Sequence, residues 1–262
     1  MKQHSVLNRL KAGIVALILM LSPLATAANS PIIAAASSVK FALQEIAEAF
    51  YHDTGNRIRI SYSSSGNLTR QIQQGAPFEL LLSANAGYTE QLYQQNKTLG
   101  QSITYALGRL VLITEKNTSL TLDKQLSAIK ILTETGNLKR FAIANPLHAP
   151  YGVAAQEVLQ QLGLWESIKP HLVVGENVAQ AAQFASSGAA QVGLVSYSIA
   201  LAPALQNRTR TLLIPASLHR PLQQTMVLLH NAGETSKLFF IYLQQHKARA
   251  ILARYGYSVP EE

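Results

Sequence analysis

From residue 31 onward, short apolar or β-branched runs alternate with stretches whose apolar residues recur every three or four positions. The first spacing predicts strands, the second amphipathic helices, and their alternation predicts parallel α/β architecture. A strand is expected over 31–36, then a helix on Val39, Leu43, Ile46, Ala47 and Phe50 that Gly55 stops. Strands over 57–62 and 79–83 follow, with a short helix on Leu68 and Ile72 ending at Gly75, and another helix over 89–95. A long strand-like stretch over 103–114 leads into a second set of units, with strands over 141–144, 171–174 and 191–197 and helices over 153–162 and 178–187. The runs 211–214 and 225–229 are read as returning the chain to the first set. One final helix is expected over 235–254, carrying Leu238, Ile241, Tyr242, Ile251 and Leu252. The expected fold class is α/β with two lobes, each a mixed β-sheet flanked by helices. Residues 28–107 with 217–262 would form one lobe and 108–216 the other.

The first 27 residues follow a different pattern. Lys2, Arg9 and Lys11 make a basic start, an apolar run covers 12–24, and Ala25-Thr26-Ala27 has the small side chains of a signal cleavage site. That run falls short of the roughly 20 residues that span a bilayer, and no stop-transfer pattern follows. Cleavage near Ala27 is therefore expected in preference to an uncleaved anchor. The chain has no cysteine, which excludes a disulfide framework, a thiolate metal site, a cysteine nucleophile and a lipid-modified cysteine at the cleavage point. The product is expected free in a periplasm. Setting the three leader cations aside leaves 19 of the 22 Lys and Arg against 14 Asp and Glu, a net charge of +5. These charges are scattered, so no nucleic-acid partner is expected.

Candidate chemistry gathers at four strand-to-helix junctions: Ala36-Ser37-Ser38, Ser63-Ser64-Ser65-Gly66-Asn67, Ala149-Pro150-Tyr151-Gly152 and Gly175-Glu176-Asn177. Each places small or hydroxyl residues where a helix presents unpaired N–H groups. Helix N-termini attract anions, and ligands of open α/β sheets gather at the carboxyl ends of strands. The first three junctions hold no Asp or Glu, which suits a fully deprotonated dianion held by neutral donors. Any one loop is equally explained as an ordinary N-cap, whereas three consecutive serines and four similar junctions go beyond what capping requires.

Several segments occur in an order that resembles the periplasmic molybdate-binding proteins of ABC transporters, the ModA family. They are Ala35-Ala36-Ser37-Ser38, SYSSSGNLTRQIQQGAPFELLLSA (61–84), ANPLHAPYGVAAQEVLQQLGLW (144–165), VVGENVAQAAQFASSGAAQVGLVSYS (173–198) and ARYGYSVP (253–260). The resemblance implies a type II periplasmic-binding-protein fold with molybdate or tungstate between two lobes. It implies hydroxyl and amide donors to the oxyanion oxygens, no direct metal ligand, no cofactor and no chemical step. The partner implied is an inner-membrane ABC permease, served by a monomer. Carried over by motif, Ser38 takes the first-loop position with Ser37 beside it, and Ser65 the second-loop hydroxyl and amide. Tyr151 and Val178 supply backbone donors from the third and fourth junctions. Some members add a tyrosine hydroxyl from the strand after the fourth helix. Here Ser196 stands at that position with Tyr197 next to it. Strand alternation turns the two apart, so that contact is expected to be lost.

Other readings compete with this one. Ser37-x-x-Lys40 matches the S-x-x-K pattern of serine acyl-enzymes, but the pattern recurs at Ser127-x-x-Lys130 and its companion motifs are missing. His148 stands close to the third junction, where it could contribute at the cleft rim, but reads rather as a surface-loop histidine, and Trp165 reads as packing. The same fold specific for sulfate stays open. Phosphate would want a carboxylate acceptor, for which Glu176 is the one junction residue available. A non-binding envelope protein remains the blandest alternative.

Overall fold

The computed structural model describes residues 30–259. The expected leader and its cleavage site at Ala27 lie outside the described residues.

Among the described residues, ten strands form two sheets of five. In the first, β1 (Ile32–Ala36), β2 (Arg59–Ser63) and β3 (Phe78–Ser83) run parallel. Between β3 and β4 (Ile103–Gly108) lies β10 (Leu222–Leu228), antiparallel to both, giving the order β2-β1-β3-β10-β4. The second sheet repeats this plan. Its parallel strands are β6 (Phe141–Ala144), β7 (Leu172–Gly175) and β8 (Val192–Ser196), and antiparallel β5 (Leu110–Glu115) separates β8 from β9 (Thr209–Leu213).

The central strands are apolar throughout because both faces are covered. Ile33, Ala35, Leu80 and Leu82 belong to one core with the Lys40–Thr54 helix, while Ala34 and Leu81 pack in another with Leu68 and Ile72. The Lys40–Thr54 helix buries Ala42, Leu43, Ile46 and Phe50, and Phe50 meets Phe239 and Tyr242 edge-on. Gly55 ends it in the left-handed conformation, at φ 72°, with its N–H on the Tyr51 carbonyl.

Three expectations need correction. The run 103–114 is not one strand: it breaks at Arg109, and its halves belong to different sheets. Both halves are strongly apolar, so one interrupting residue leaves no trace in the pattern. The run near 211–214 does not return to the first sheet, since β9 pairs with Val111–Glu115 and only β10 returns. The final helix is two helices, Glu234–Tyr242 and His246–Arg254. At 100° per residue, Ala248 would sit about 140° round a straight helix from Leu243. Both side chains are buried in the same core, so the chain bends at extended Gln245. The Ser127–Glu134 helix was not anticipated.

Two crossings join the sheets, and they touch. Ile214 N–H donates to the Leu110 carbonyl at 3.0 Å, and the Arg109 guanidinium reaches the Ile214 carbonyl at 3.4 Å.

Candidate functional site

The carboxyl ends of the parallel strands of both sheets face one small cavity of about 190 Å³. Ala36, Ser37 and Ser38 line it from the end of β1, Ser63, Ser64 and Ser65 from β2, and Ala84 from β3. From the second sheet come Ala149, Pro150, Tyr151 and Val178. No lining residue carries a formal charge. The structure thus brings five expected residues, Ser37, Ser38, Ser65, Tyr151 and Val178, around a single space.

The backbone supplies donors. Ser65 opens the Ser65–Gln73 helix, Tyr151 follows Pro150 at the start of the Pro150–Gln161 helix, and Val178 opens the Val178–Ser186 helix. A first-turn N–H has no intrahelical acceptor. The N–H groups of these three residues have no partner among the described residues. Their neighbours are occupied: Asn177 Oδ1 accepts from Ala179 and Gln180, and the Gly66 N–H donates to the His148 carbonyl at 3.0 Å. Gly152 is what lets the Tyr151 amide sit so near β6. A Cβ there would stand 2.3 Å from the Ala144 carbonyl oxygen.

The serine hydroxyls are oriented by donors aimed at their oxygens. Ala84 N–H donates to Ser65 Oγ at 3.0 Å, and Ala179 N–H reaches Ser37 Oγ from the other sheet at 3.4 Å. A hydroxyl has one proton. Once its oxygen accepts from an amide, that proton is free to be given to an anion. Ser38 is held differently: its carbonyl accepts from Ser198 Oγ at 2.9 Å, and its Oγ lies 3.5 Å from Gln224 Oε1.

Beneath Ser38 lies a buried group of phenols. Tyr105, Tyr151 and Tyr257 have hydroxyls without hydrogen-bond partners among the described residues, as does Ser196 Oγ. Burial pushes the Tyr257 phenol up to about 12, against the lowering effect of the nearby Ser198 and Ser38. It also raises Tyr151 and Tyr105 well above the ordinary phenol range. All three therefore stay neutral at ordinary pH.

Ser196 and Tyr197 are not among the cavity-lining residues. β8 ends at Ser196, and Tyr197 begins the Tyr197–Ala200 helix, so strand alternation does not govern the pair. The Tyr197 ring packs on Gly256, where a Cβ would come within 2.5 Å of it. The Lys40 amide donates to the Ser37 carbonyl, but no hydrogen bond joins the Ser37 hydroxyl to the Lys40 side chain among the described residues, and Lys40 Nζ stands over the Phe41 ring at 5.7 Å.

His148 corrects the surface reading. It is buried, with Nδ1 2.8 Å from Ser64 Oγ and Nε2 3.7 Å from Glu176 Oε1. Glu176 in turn accepts from Asn67 Nδ2 across the two sheets. Ser63, Ser64 and Ala84 also went unassigned. The length of the serine run was a usable signal for the first two. Ala84 follows β3 at a junction capped by Asn85, a fifth junction of the same kind.

A family model described as bacterial extracellular solute-binding protein matches residues 32–258. The chain is 35% identical over 252 residues to the molybdate-binding protein ModA of Rhodobacter capsulatus, covering 95% of this chain and 96% of that one. Among solved structures, the Azotobacter vinelandii periplasmic molybdate-binding protein superposes with a TM-score of 0.81 at 30% identity, over 88% of this chain and 100% of that one. The sulfate-binding protein SubI of Mycobacterium tuberculosis H37Rv shares the fold, with a TM-score of 0.70 at 12% identity over 87% of this chain and 86% of that one.

Proposed function

The chain belongs to the bacterial extracellular solute-binding protein family, and from that premise we propose that it is the molybdate-binding component of an ABC importer. Tungstate, almost equal to molybdate in size and charge, is bound as well. The observation that carries this reading is the convergence of three free helix-start amides, at Ser65, Tyr151 and Val178, on one uncharged cavity rimmed by serine hydroxyls. Ser65 and Ser37 give their protons to the oxyanion, and Ser38 completes the set. Every contact is to oxygen, with no side chain on the metal. Ser196 and Tyr197 support the cavity from behind.

Residues 28–107 with 217–262 act as one lobe and 108–216 as the other, hinged at the adjoining crossings at Arg109 and Ile214. The ligand favours the closed form because only there do donors from both lobes reach it. The leader is removed near Ala27, and the mature monomer works in the periplasm. It delivers its oxyanion to an inner-membrane permease without a chemical step and without nucleic acid.

Calorimetry of the mature protein against molybdate, tungstate, sulfate and phosphate tests this. Tight binding of the first two is expected. Heat from sulfate with none from molybdate would refute it.

A further inference from the structure

Three serines at the cavity have an oxygen that a neighbouring nitrogen approaches. For Ser65 and Ser37 that nitrogen is an amide, a permanent donor. For Ser64 it is His148 Nδ1, at 2.8 Å, which can be donor or acceptor. We propose that His148 is a positioning residue whose protonation decides whether Ser64 offers the bound oxyanion a proton or a lone pair.

The two states follow from counting protons. Neutral His148 places its one N–H at Nε2, toward Glu176 Oε1 3.7 Å away, so Nδ1 accepts the Ser64 hydroxyl proton. Ser64 then turns lone pairs toward the cavity, which repel a dianion. In the imidazolium both nitrogens donate. Nδ1–H takes the Ser64 oxygen, the hydroxyl proton turns inward, and Ser64 joins Ser65 and Ser37 as a donor. A positive charge also comes to stand one residue from the anion.

His148 is fixed for this task. It is buried between the sheets, its carbonyl accepts from Gly66 N–H at 3.0 Å, and Gly66 lets it approach, since a Cβ there would meet its Cβ at 2.9 Å. The charged and titratable groups facing it are few. Glu176 comes from the second sheet and Tyr88 from the Ala86–Gln94 helix, its hydroxyl against Gly66. Arg70 is tied to Asn67, which bonds Glu176. Tyr88 stays neutral because burial raises its phenol, so Glu176 is the one anion facing His148 among the described residues.

This rests on oxyanion binding at the cavity and deepens it. Because the protonated state binds the ligand better, affinity rises as pH falls and settles to a weaker plateau where His148 is neutral. Calorimetry with micromolar molybdate from pH 5.5 to 8 should show binding about tenfold tighter at the acid end, the effect of one charge-assisted donor. His148→Asn, which keeps an amide donor near the Nδ1 position, should flatten the profile toward the tight end. His148→Leu should flatten it at the weak end, and Ser64→Ala, with the histidine intact, should reduce the pH dependence to what the imidazolium charge alone contributes. A flat wild-type profile, or an unchanged profile in His148→Leu or Ser64→Ala, would overturn the assignment. Circular dichroism melts establish that each variant is folded. Absence of molybdate binding at every pH would instead remove the reading beneath it.

Discussion

The Ala84 amide donates to Ser65 Oγ at 3.0 Å, so the end of β3 commits the hydroxyl oxygen at the start of the helix that follows β2. Ser65→Ala removes the hydroxyl donor and leaves a buried N–H unpaired. Losing a hydrogen bond to a charged group costs about 1.5–3 kcal/mol, and a stranded buried donor about 1–3 kcal/mol. Molybdate affinity should fall at least about tenfold and the melting temperature by a few degrees, with the protein still folded. Calorimetry and a thermal melt on one preparation read both effects, and unchanged affinity would refute the donor role.

Gly108 closes β4 against the Tyr151 hydroxyl. A Cβ at residue 108 would stand 2.2 Å from that oxygen and 3.2 Å from Cζ. Gly108→Ala should therefore destabilise the fold. Tyr151→Phe removes the nearest atom, so the double variant should recover much of the loss. The coupling is read from chemical denaturation of all four proteins in a double-mutant cycle. Strictly additive effects would show that the clash is relieved some other way.

Tyr257→Phe separates two roles for the buried phenols. The Tyr257 hydroxyl has no hydrogen-bond partner among the described residues, so its removal should leave stability unchanged or slightly higher and molybdate affinity within about twofold. A tenfold loss of affinity would mean that this phenol reaches the ligand or orients Ser38.

Asp53 ties the end of the Lys40–Thr54 helix to the C-terminal helices. It accepts from Lys247 Nζ at 2.7 Å and from the Tyr242 hydroxyl at 2.7 Å, and His52 Nδ1 lies 3.1 Å away. These partners, Lys247 first, hold its carboxyl far below the usual carboxylate range. A depressed carboxylate stabilises the fold above its unfolded pKa, about 3.9, and loses that contribution as pH falls toward its folded value. Asp53→Asn should thus lower the melting temperature at pH 7 and converge on wild type below about pH 4. A constant gap down to pH 2 would show that the effect is not titration of this group.

Elements whose pattern and punctuation agreed were legible in the sequence. The Lys40–Thr54 helix is an example, since four buried positions at helical spacing meet a glycine that only a left-handed cap requires. What escaped was long-range. The apolar pattern around Arg109 does not mark the break between β4 and β5, because both sheets demand the same apolar side chains. The phase slip between Leu243 and Ala248 was present in the sequence but needed the shared core to give it meaning. At the cavity, the serine run and helix starts could be found by local chemistry. His148 could not, because its burial comes from a sheet whose partner strands are far away in sequence.

The placement of β10 between β3 and β4 governs the order in which the molecule can be assembled. Every strand of the second sheet lies within one continuous stretch, from Leu110 to Leu213, and can pair as soon as that stretch emerges. The first sheet cannot close until residues 222–228 arrive, so β4 must wait beside a gap while more than a hundred residues follow it. A chain threaded across a membrane from its N-terminus would therefore complete its second sheet first. Only its last segment then brings the Ser37, Ser38 and Ser65 side of the cavity into its final form.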